Sequence, residues 1–563
     1  MPGFRLGKTG RRAGRVVCGA KRIRSHYPPL GRERLPGLST TSTLKGPASV
    51  SIISAATMRL CRADLPAANP PIAAARSTEL RVPSLSREKP LPLFLLDLPT
   101  ESGNTYALRG NPKTMDPTSF YLLSLGCAKN RVDSEVILGG LISAGYHPET
   151  EPLKAQLIVV NTCSFIESAA QESIDTILEL AQAKEKGACR LLVVTGCLPQ
   201  RYGKKLAEAM PEVDLFLGTG TFHRLPSLLN RRQPGDPQEI HLEPPRFLMD
   251  ADTPRVLSSP FYSTYLKVAE GCSNRCAFCT IPAIRGRYRS RPMDDLLREA
   301  DWLALQGVRE LNLVAQDTTA YGEDLGLTPR LADLLDTLAR TSLFSWIRVL
   351  YAYPQRITER LLGVMGTHPS ICPYLDIPFQ HASERVLQAM GRSGSSAEFI
   401  RLVEWIRAKL PAITLRTTLM VGFPGETDDD SQELYDFVAE VRFQRLGIFS
   451  YSPEPGTTAA RLGGSVPKRV KTRRLRKLAA LQEKISLAYH RKLIGTIQPV
   501  LVEGPSPETE LLLEGRLASQ APEIDGRVLI GSGLGRVGEI MSVRITEAHP
   551  HDLVGEIVDS ELL

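Results

Sequence analysis

Twice along this chain, short apolar runs of strand length alternate with stretches of helical spacing. That alternation restricts the fold more than any other feature of the sequence. Between 118 and 232 the runs are SFYLLSLG (119–126), AQLIVVNT (155–162), CRLLVVTG (189–196) and VDLFLG (213–218), with helical patterns over 131–145 and 166–185 and a short one from Gln200. Short all-apolar strands joined by helices require a parallel sheet covered on both faces. Residues 258–490 repeat the pattern, with six strand candidates at 264–269, 311–315, 347–351, 374–378, 414–421 and 447–451. Helical spacing falls over 294–306, 396–409 and 428–441, and 469–490 reads as one long amphipathic helix. Six β/α units predict a partial barrel, two units short of the usual (β/α)8. A proline-rich stretch, 233–257, reads as a linker between the two. The last domain, 493–563, holds five short strand candidates separated by Gly and Pro turns, the pattern of a small antiparallel β-barrel.

The first 115 residues do not share this order. Residues 1–114 carry 19 Lys and Arg against 6 Asp and Glu, a net +13 that accounts for more than the whole chain's +8. They are rich in Arg, Pro, Ser and Gly and show no sustained periodicity. A disordered arm, a transit peptide and a spurious extension from an upstream start all fit. The abrupt onset of foldable sequence after Met115 favours the last. The remaining 449 residues are slightly acidic, which gives no general reason to expect nucleic-acid binding. Ten cysteines are too few for a disulfide scaffold, and no apolar run approaches the ~18 residues of a membrane span. A reducing, cytoplasmic setting follows, in which cysteine patterns read as metal or redox sites.

The strongest such pattern is EGCSNRCAFCTIP (270–282), directly after a strand candidate. Cys272, Cys276 and Cys279 can converge on one metal centre. A [4Fe-4S] cube needs four ligands and the loop supplies three, so one iron stays open to a small molecule. Structural zinc would need a fourth ligand, and His381 lies about a hundred residues away. A second set is spread out: Cys127, Cys163 and Cys197 follow the first three apolar runs of the first domain. In a parallel sheet those positions share one edge. Position alone leaves a second metal centre and three small buried hydrophobes equally open. Cys189 is a control, because it begins the third strand, about 20 Å of strand from Cys197. Cys372 reads as core, and Cys18 and Cys61 receive no role.

The cysteine loop at the first strand of a short β/α barrel resembles the radical S-adenosylmethionine superfamily. SLGCAKNRVDSE (124–135), NTCSFIESA (161–169) and TGCLPQRY (195–202), followed by that barrel and a TRAM-like β-barrel, resemble the methylthiotransferase family within it. The resemblance covers 118–563. It implies two [4Fe-4S] clusters, on Cys127, Cys163 and Cys197 and on Cys272, Cys276 and Cys279. It also implies S-adenosylmethionine, bound at the open iron of the second and cleaved to a 5′-deoxyadenosyl radical, with Phe278 near the adenine. VGFPGET (421–427) resembles a segment near the bound cofactor, giving Gly422, Gly425 and Glu426 as contacts. Gln316 and Asp317 follow the second barrel strand and are expected at its mouth, as further cofactor contacts.

YLDIPFQHAS (374–383), YSPEPGTTAA (451–460) and APEIDGRVLIG (521–531) resemble the branch acting on an aspartate of small-ribosomal-subunit protein S-twelve. Residues 497–563 hold 4 Lys and Arg against 12 Asp and Glu, a net −8, which repels phosphates and suits a basic ribosomal protein. The expected partners are therefore S-twelve, an electron donor and a sulfur donor, with no membrane, and nucleic acid only through the ribosome. A tRNA adenosine methylthiotransferase and a non-enzymatic iron–sulfur carrier are the alternatives. The basic loop RGRYRSRP (285–292) reads as solvated, or as meeting an acidic ligand group.

Overall fold

The computed structural model describes residues 118–558, apart from 234 and 327–329. The basic extension 1–115 lies outside the described residues, as do Cys18 and Cys61.

The first sheet has six strands, all parallel, in the order β2-β1-β3-β4-β5-β6. They are β1 (Ser119–Ser124), β2 (His147–Pro148), β3 (Leu157–Thr162), β4 (Leu191–Gly196), β5 (Leu215–Leu217) and β6 (Glu239–His241). The four apolar runs supply β1, β3, β4 and β5. The two edge strands are too short and polar to show a period. β6 falls inside 233–257, and the same stretch buries Met249 and Arg255, so it packs onto the domains it was expected only to connect. All six residues of β3 are buried, because helices cover both faces. Helix α1 (Ala128–Ser143) follows β1, α2 (Glu167–Ala181) follows β3, and α3 (Cys197–Tyr202) follows β4. α1 is buried nearly all round, its charged Lys129, Asp133 and Glu135 included. It lies between the first sheet and the second.

The second sheet consists of β7 (Ser263–Lys267), β10 (Glu310–Val314), β11 (Trp346–Val349), β12 (Ile371–Asp376), β13 (Thr414–Val421) and β14 (Arg445–Ser450). All are parallel, and the order β14-β13-β12-β11-β10-β7 makes an open, partial barrel. Side chains alternate across it. Leu266, Leu311, Leu313, Ile347, Val349, Leu375 and Leu415 join the main apolar core under the helices. Lys267, Arg348, Tyr374 and Arg416 point the other way, toward the first domain and the C-terminal barrel. A two-stranded antiparallel ribbon, β8 (Ala269–Glu270) with β9 (Arg289–Ser290), brackets the segment between them, which ends in α4 (Ile281–Arg285). The outer layer includes α5 (Ser396–Lys409) and α6 (Asp428–Val441), and α7 (Lys468–Arg491) leads out of the domain.

The last domain is a closed barrel, β15-β16-β17-β19-β18. Its strands are β15 (Ile497–Ser506), β16 (Thr509–Leu517), β17 (Val528–Ile530), β18 (Ile540–Ala548) and β19 (Leu553–Ile557). Every pairing is antiparallel except β17 with β19, which is parallel. The barrel docks through buried polar contacts. Arg516 pairs with Glu310 at 2.6 Å, Arg348 donates to the Ala518 carbonyl at 2.7 Å, and the Tyr374 hydroxyl donates to Asp525 at 2.7 Å. Among the described residues no helix is long and apolar enough to cross a membrane.

Candidate iron–sulfur and cofactor site

Cys127, Cys163 and Cys197 lie just past the carboxyl ends of β1, β3 and β4, as their strand positions require. At Cys197 the chain turns from strand straight into α3, through Gly196 at φ +95°. A Cβ on Gly196 would fall 2.3 Å from Asn161 Oδ1, so no other residue fits the turn. A Cβ on Gly126 would fall 2.8 Å from Cys163 Cβ and 3.1 Å from its Sγ, which puts the first two loops in contact. Asn130 pins all three. Its Nδ2 donates to the carbonyls of Leu125 (2.8 Å) and Thr162 (2.9 Å), and its Oδ1 faces Cys197 Sγ at 3.9 Å.

The three thiols are electrostatically distinct. Burial pushes Cys163 far up, with the neighbouring Cys197 and Cys127 adding to it, and pushes Cys197 to about 11. Burial also raises Cys127, but Lys129, Arg285 and two backbone N–H groups outweigh it, and that thiol falls below its ordinary value. Cys189 sits at the opposite end of β4, bonded to the Leu191 carbonyl, in the apolar cluster under the sheet. Cys372 is buried within β12.

The second trio lies between β8 and α4. Gly271, at φ +77°, precedes Cys272, and a Cβ there would lie 2.3 Å from the Arg287 carbonyl. Arg392 Nη1 approaches Cys276 Sγ at 3.6 Å, and the Ile281 N–H points at Cys279 Sγ at 3.5 Å. Burial raises Cys272 to about 11 and Cys279 to about 12. Asp317 does sit beside this loop. Its Oδ2 accepts from Asn274 (2.8 Å) and from Arg356 (2.9 Å), which fixes the segment between Cys272 and Cys276. Phe278 packs against an apolar cluster of Val386, Met390, Phe423, Tyr451 and Ala459. Gln316 is half-buried at the end of β10.

The 421–427 loop differs from expectation at one residue. Glu426 Oε2 accepts the N–H groups of Gly422 and Phe423, and Oε1 meets Arg474 at 2.8 Å. With its side chain fully buried, Glu426 braces the loop from inside and turns no carboxylate outward. Gly425 is tied to the Gly464 carbonyl at 2.8 Å.

Arg285, the last residue of α4, reaches from the helix that follows the second trio to the first trio. From the loop of Cys272, Cys276 and Cys279 it crosses to Asn130 Oδ1 (2.6 Å), Asp133 Oδ2 (2.9 Å) and Cys197 Sγ (3.8 Å), while Nη1 meets Glu270 at 3.0 Å. Lys267 completes the network with Asp133 and Glu270. A second clamp is Glu454, which accepts the Glu167 N–H (2.9 Å) and pairs with Arg201 (2.9 Å). Arg201 in turn holds the carbonyl of Ser164, next to Cys163. The basic loop 285–292 is therefore not solvated throughout: Arg285 and Arg291 are buried and paired with carboxylates of the protein.

A donor set made of thiols alone fits an iron–sulfur cluster. Among the described residues no group of His, Cys, Asp or Glu is arranged to hold a metal ion. A cube spreads its thiolates over separate irons, and Arg392, Arg285 and the Ile281 N–H aim positive charge at sulfur. A groove of about 400 Å³ opens between α5 and α6, lined by Ser396, Ile400, Asp429, Glu433, Asp436 and Glu440 among others, and holds none of the six cysteines. Sequence reasoning missed Lys129, Asn130, Arg285, Arg392 and Glu454. Lys129, Asn130, Arg285 and Glu454 stand inside quoted motifs, but their partners are remote in sequence.

Comparisons with known proteins place the chain in a family. Residues 119–218 match the uncharacterized protein family UPF0004, 266–438 the radical SAM superfamily and 494–558 the TRAM domain. Fold and site thus define a radical S-adenosylmethionine methylthiotransferase, a superfamily membership that implies a [4Fe-4S] cluster and S-adenosylmethionine. The chain is 50% identical to the "Ribosomal protein uS12 methylthiotransferase RimO" of Geotalea uraniireducens (strain Rf4), over 78% of this chain and 98% of that protein. It is 50% identical to the protein of the same name from Myxococcus xanthus (strain DK1622), over 79% and 93%. For that of Citrifermentans bemidjiense (strain ATCC BAA-1014 / DSM 16622 / JCM 12645 / Bem) the identity is 48%, over 79% and 99%. The chain belongs to the RimO family of ribosomal protein uS12 methylthiotransferases.

Proposed function

We propose that the substrate is uS12, the small-subunit protein S-twelve, and that a methylthio group is added to the β-carbon of one of its aspartates. On this reading Cys127, Cys163 and Cys197 hold one [4Fe-4S] cluster and Cys272, Cys276 and Cys279 a second. The electron donor and sulfur donor are separate partners, and the setting is the reducing cytoplasm. The observation that carries the reading is the Arg285 bridge. Two centres can act on one side chain only if they face one interface, and Arg285 links a thiol of the first trio to the helix that follows the second.

A cluster held by Cys272, Cys276 and Cys279 would supply, with S-adenosylmethionine, the one-electron chemistry that an unactivated C–H bond requires. The protein's part is orientation and exclusion of water. Arg392 and the Ile281 N–H stabilise thiolate charge at Cys276 and Cys279. Asp317 fixes the loop through Asn274, and Phe278 supplies an apolar wall. Gly422, Gly425 and Gln316 are the proposed backbone and side-chain neighbours of the cofactor, with Glu426 holding that loop in shape. The net −8 of 497–563 favours a basic protein over RNA.

Anaerobic reconstitution with uS12 and with tRNA, each followed by mass spectrometry, tests the assignment. A methylthio mass increment on an aspartate of uS12 is expected. An increment on tRNA alone overturns the proposal.

A further inference from the structure

Two lysines are buried among the described residues, and they differ in one respect. Lys267 is paired with Asp133 and Glu270. Lys129 is 4% exposed, and no carboxylate of the described residues lies within ion-pair distance of its ammonium. Its polar neighbours are the Tyr351 hydroxyl and the Cys127 thiol, and a buried ammonium with no carboxylate beside it is costly, so it is suited to receive one.

What surrounds Lys129 indicates where that partner would come from. Its Nζ stands 3.5 Å above the ring of Tyr351. Tyr351 follows the carboxyl end of β11 and holds φ at +63°, a conformation that an aromatic residue adopts only when its surroundings impose it. Here the surroundings do so: the Tyr351 N–H donates to Asp376 Oδ2 at 3.3 Å, and its carbonyl accepts the Thr318 N–H at 2.9 Å. Thr318 adjoins Asp317, which holds the loop of the second trio. Along the chain, Lys129 is two residues from Cys127, a member of the first trio. This cation, with no carboxylate beside it among the described residues, thus sits over the carboxyl edge of the second sheet, on the side where the first trio approaches.

We propose that Lys129 is the substrate-binding residue that receives the side-chain carboxylate of the target aspartate, and that it sets the preference for a protein carboxylate over a nucleobase. The inference rests on the uS12 reading above. A charge-assisted bond to the carboxylate fixes the carbon one bond away, which is the carbon to be modified. An adenine offers no anion there, so a nucleic-acid substrate would leave the ammonium unpaired.

The test is fluorescence anisotropy with cluster-loaded protein, kept anaerobic. The probes are a labelled uS12 segment carrying the aspartate found by mass spectrometry and the same segment with asparagine in its place. Wild type should bind the aspartate segment at least 10-fold tighter. Lys129→Met, which keeps a stem on Tyr351, should lose that factor for aspartate, leave the asparagine segment unchanged and keep its iron content. Lys129→Gln should match it if the methionine disturbs packing. Retained discrimination in both variants overturns the assignment, as does loss of iron, which would make Lys129 a counter-ion of the first trio. A wild type that modifies uS12 but binds both segments equally overturns this inference alone. A wild type that neither binds nor modifies uS12 overturns the substrate reading with it.

Discussion

Arg285 carries its guanidinium between Asp133, Glu270 and Cys197 with 1% of the side chain exposed. Removing one partner of a buried ionic network leaves charges that water cannot reach, at a cost of roughly 3–5 kcal/mol. Arg285→Met should lower the urea unfolding free energy of the anaerobic protein by that order. Arg285→Lys, which keeps the charge but not the fork, should lose less. The cysteines separate by function. Cys127→Ala should abolish methylthio transfer while 5′-deoxyadenosine still forms, Cys272→Ala should abolish both, and Cys189→Ala neither, as read by mass spectrometry and chromatography of the same reactions. The cysteine positions were legible because strand ends and tight spacing are local properties. Lys129 and Arg285 were not, since what makes them unusual is a neighbour from another domain. Arg285 meets Asn130 across 155 residues of chain, and no window on the sequence spans that. Glu426, read as a hydrogen-bond acceptor, accepts from the amides of its own turn, since a carboxylate in a turn can serve the turn first.

At the scale of elements, α5 and α6 run over 396–409 and 428–441, the bounds the periodicity gives, because both start on side-chain caps written in the sequence. Ser395 accepts the Glu398 N–H, and Thr427 forms a full capping box with Asp430. Thr427→Ala should cost about 1 kcal/mol, visible as a lower midpoint in thermal unfolding followed by circular dichroism. It should also loosen the neighbouring 421–427 turn, since Asp430 accepts from the Thr427 N–H and hydroxyl. α1 shows the opposite case. It reads as 131–145 and begins at Ala128, directly after Cys127, whose side chain makes no capping bond. Its buried Lys129, Asp133 and Glu135 also break the apolar stripe by which an amphipathic helix is recognised. Burial of those charges makes sense only once the second sheet supplies Lys267 and the proline-rich stretch supplies Arg255, which meets Glu135 at 2.6 Å.

At the scale of the molecule, the C-terminal barrel is fastened to the rest by ionisable groups, and these predict how acid loosens it. Burial alone would raise Glu310, but Arg516 and Arg348 hold it down to about 2, so that contact weakens only as the pH falls below the ordinary 4.5 toward 2. His490, at the end of α7, responds earlier. Its Nδ1 bonds the His549 carbonyl at 2.6 Å, within the barrel domain, while Nε2 is buried without a hydrogen-bond partner among the described residues. Burial, with Arg445 nearby, lowers it from 6.5 to about 3, so the folded protein keeps the ring neutral where the unfolded chain takes up a proton. This contribution is fully present above pH 6.5 and is lost as the pH falls toward 3, by about 1.4 kcal/mol per unit. Between pH 7.5 and 5 the wild type should therefore lose about 2 kcal/mol through this group. His490→Asn, which can keep a donor toward His549 and removes the titration, should show a correspondingly flatter profile in urea unfolding followed across that range. Equal slopes in the two proteins would mean that the ring is solvated and that His490 does not join α7 to the barrel in solution.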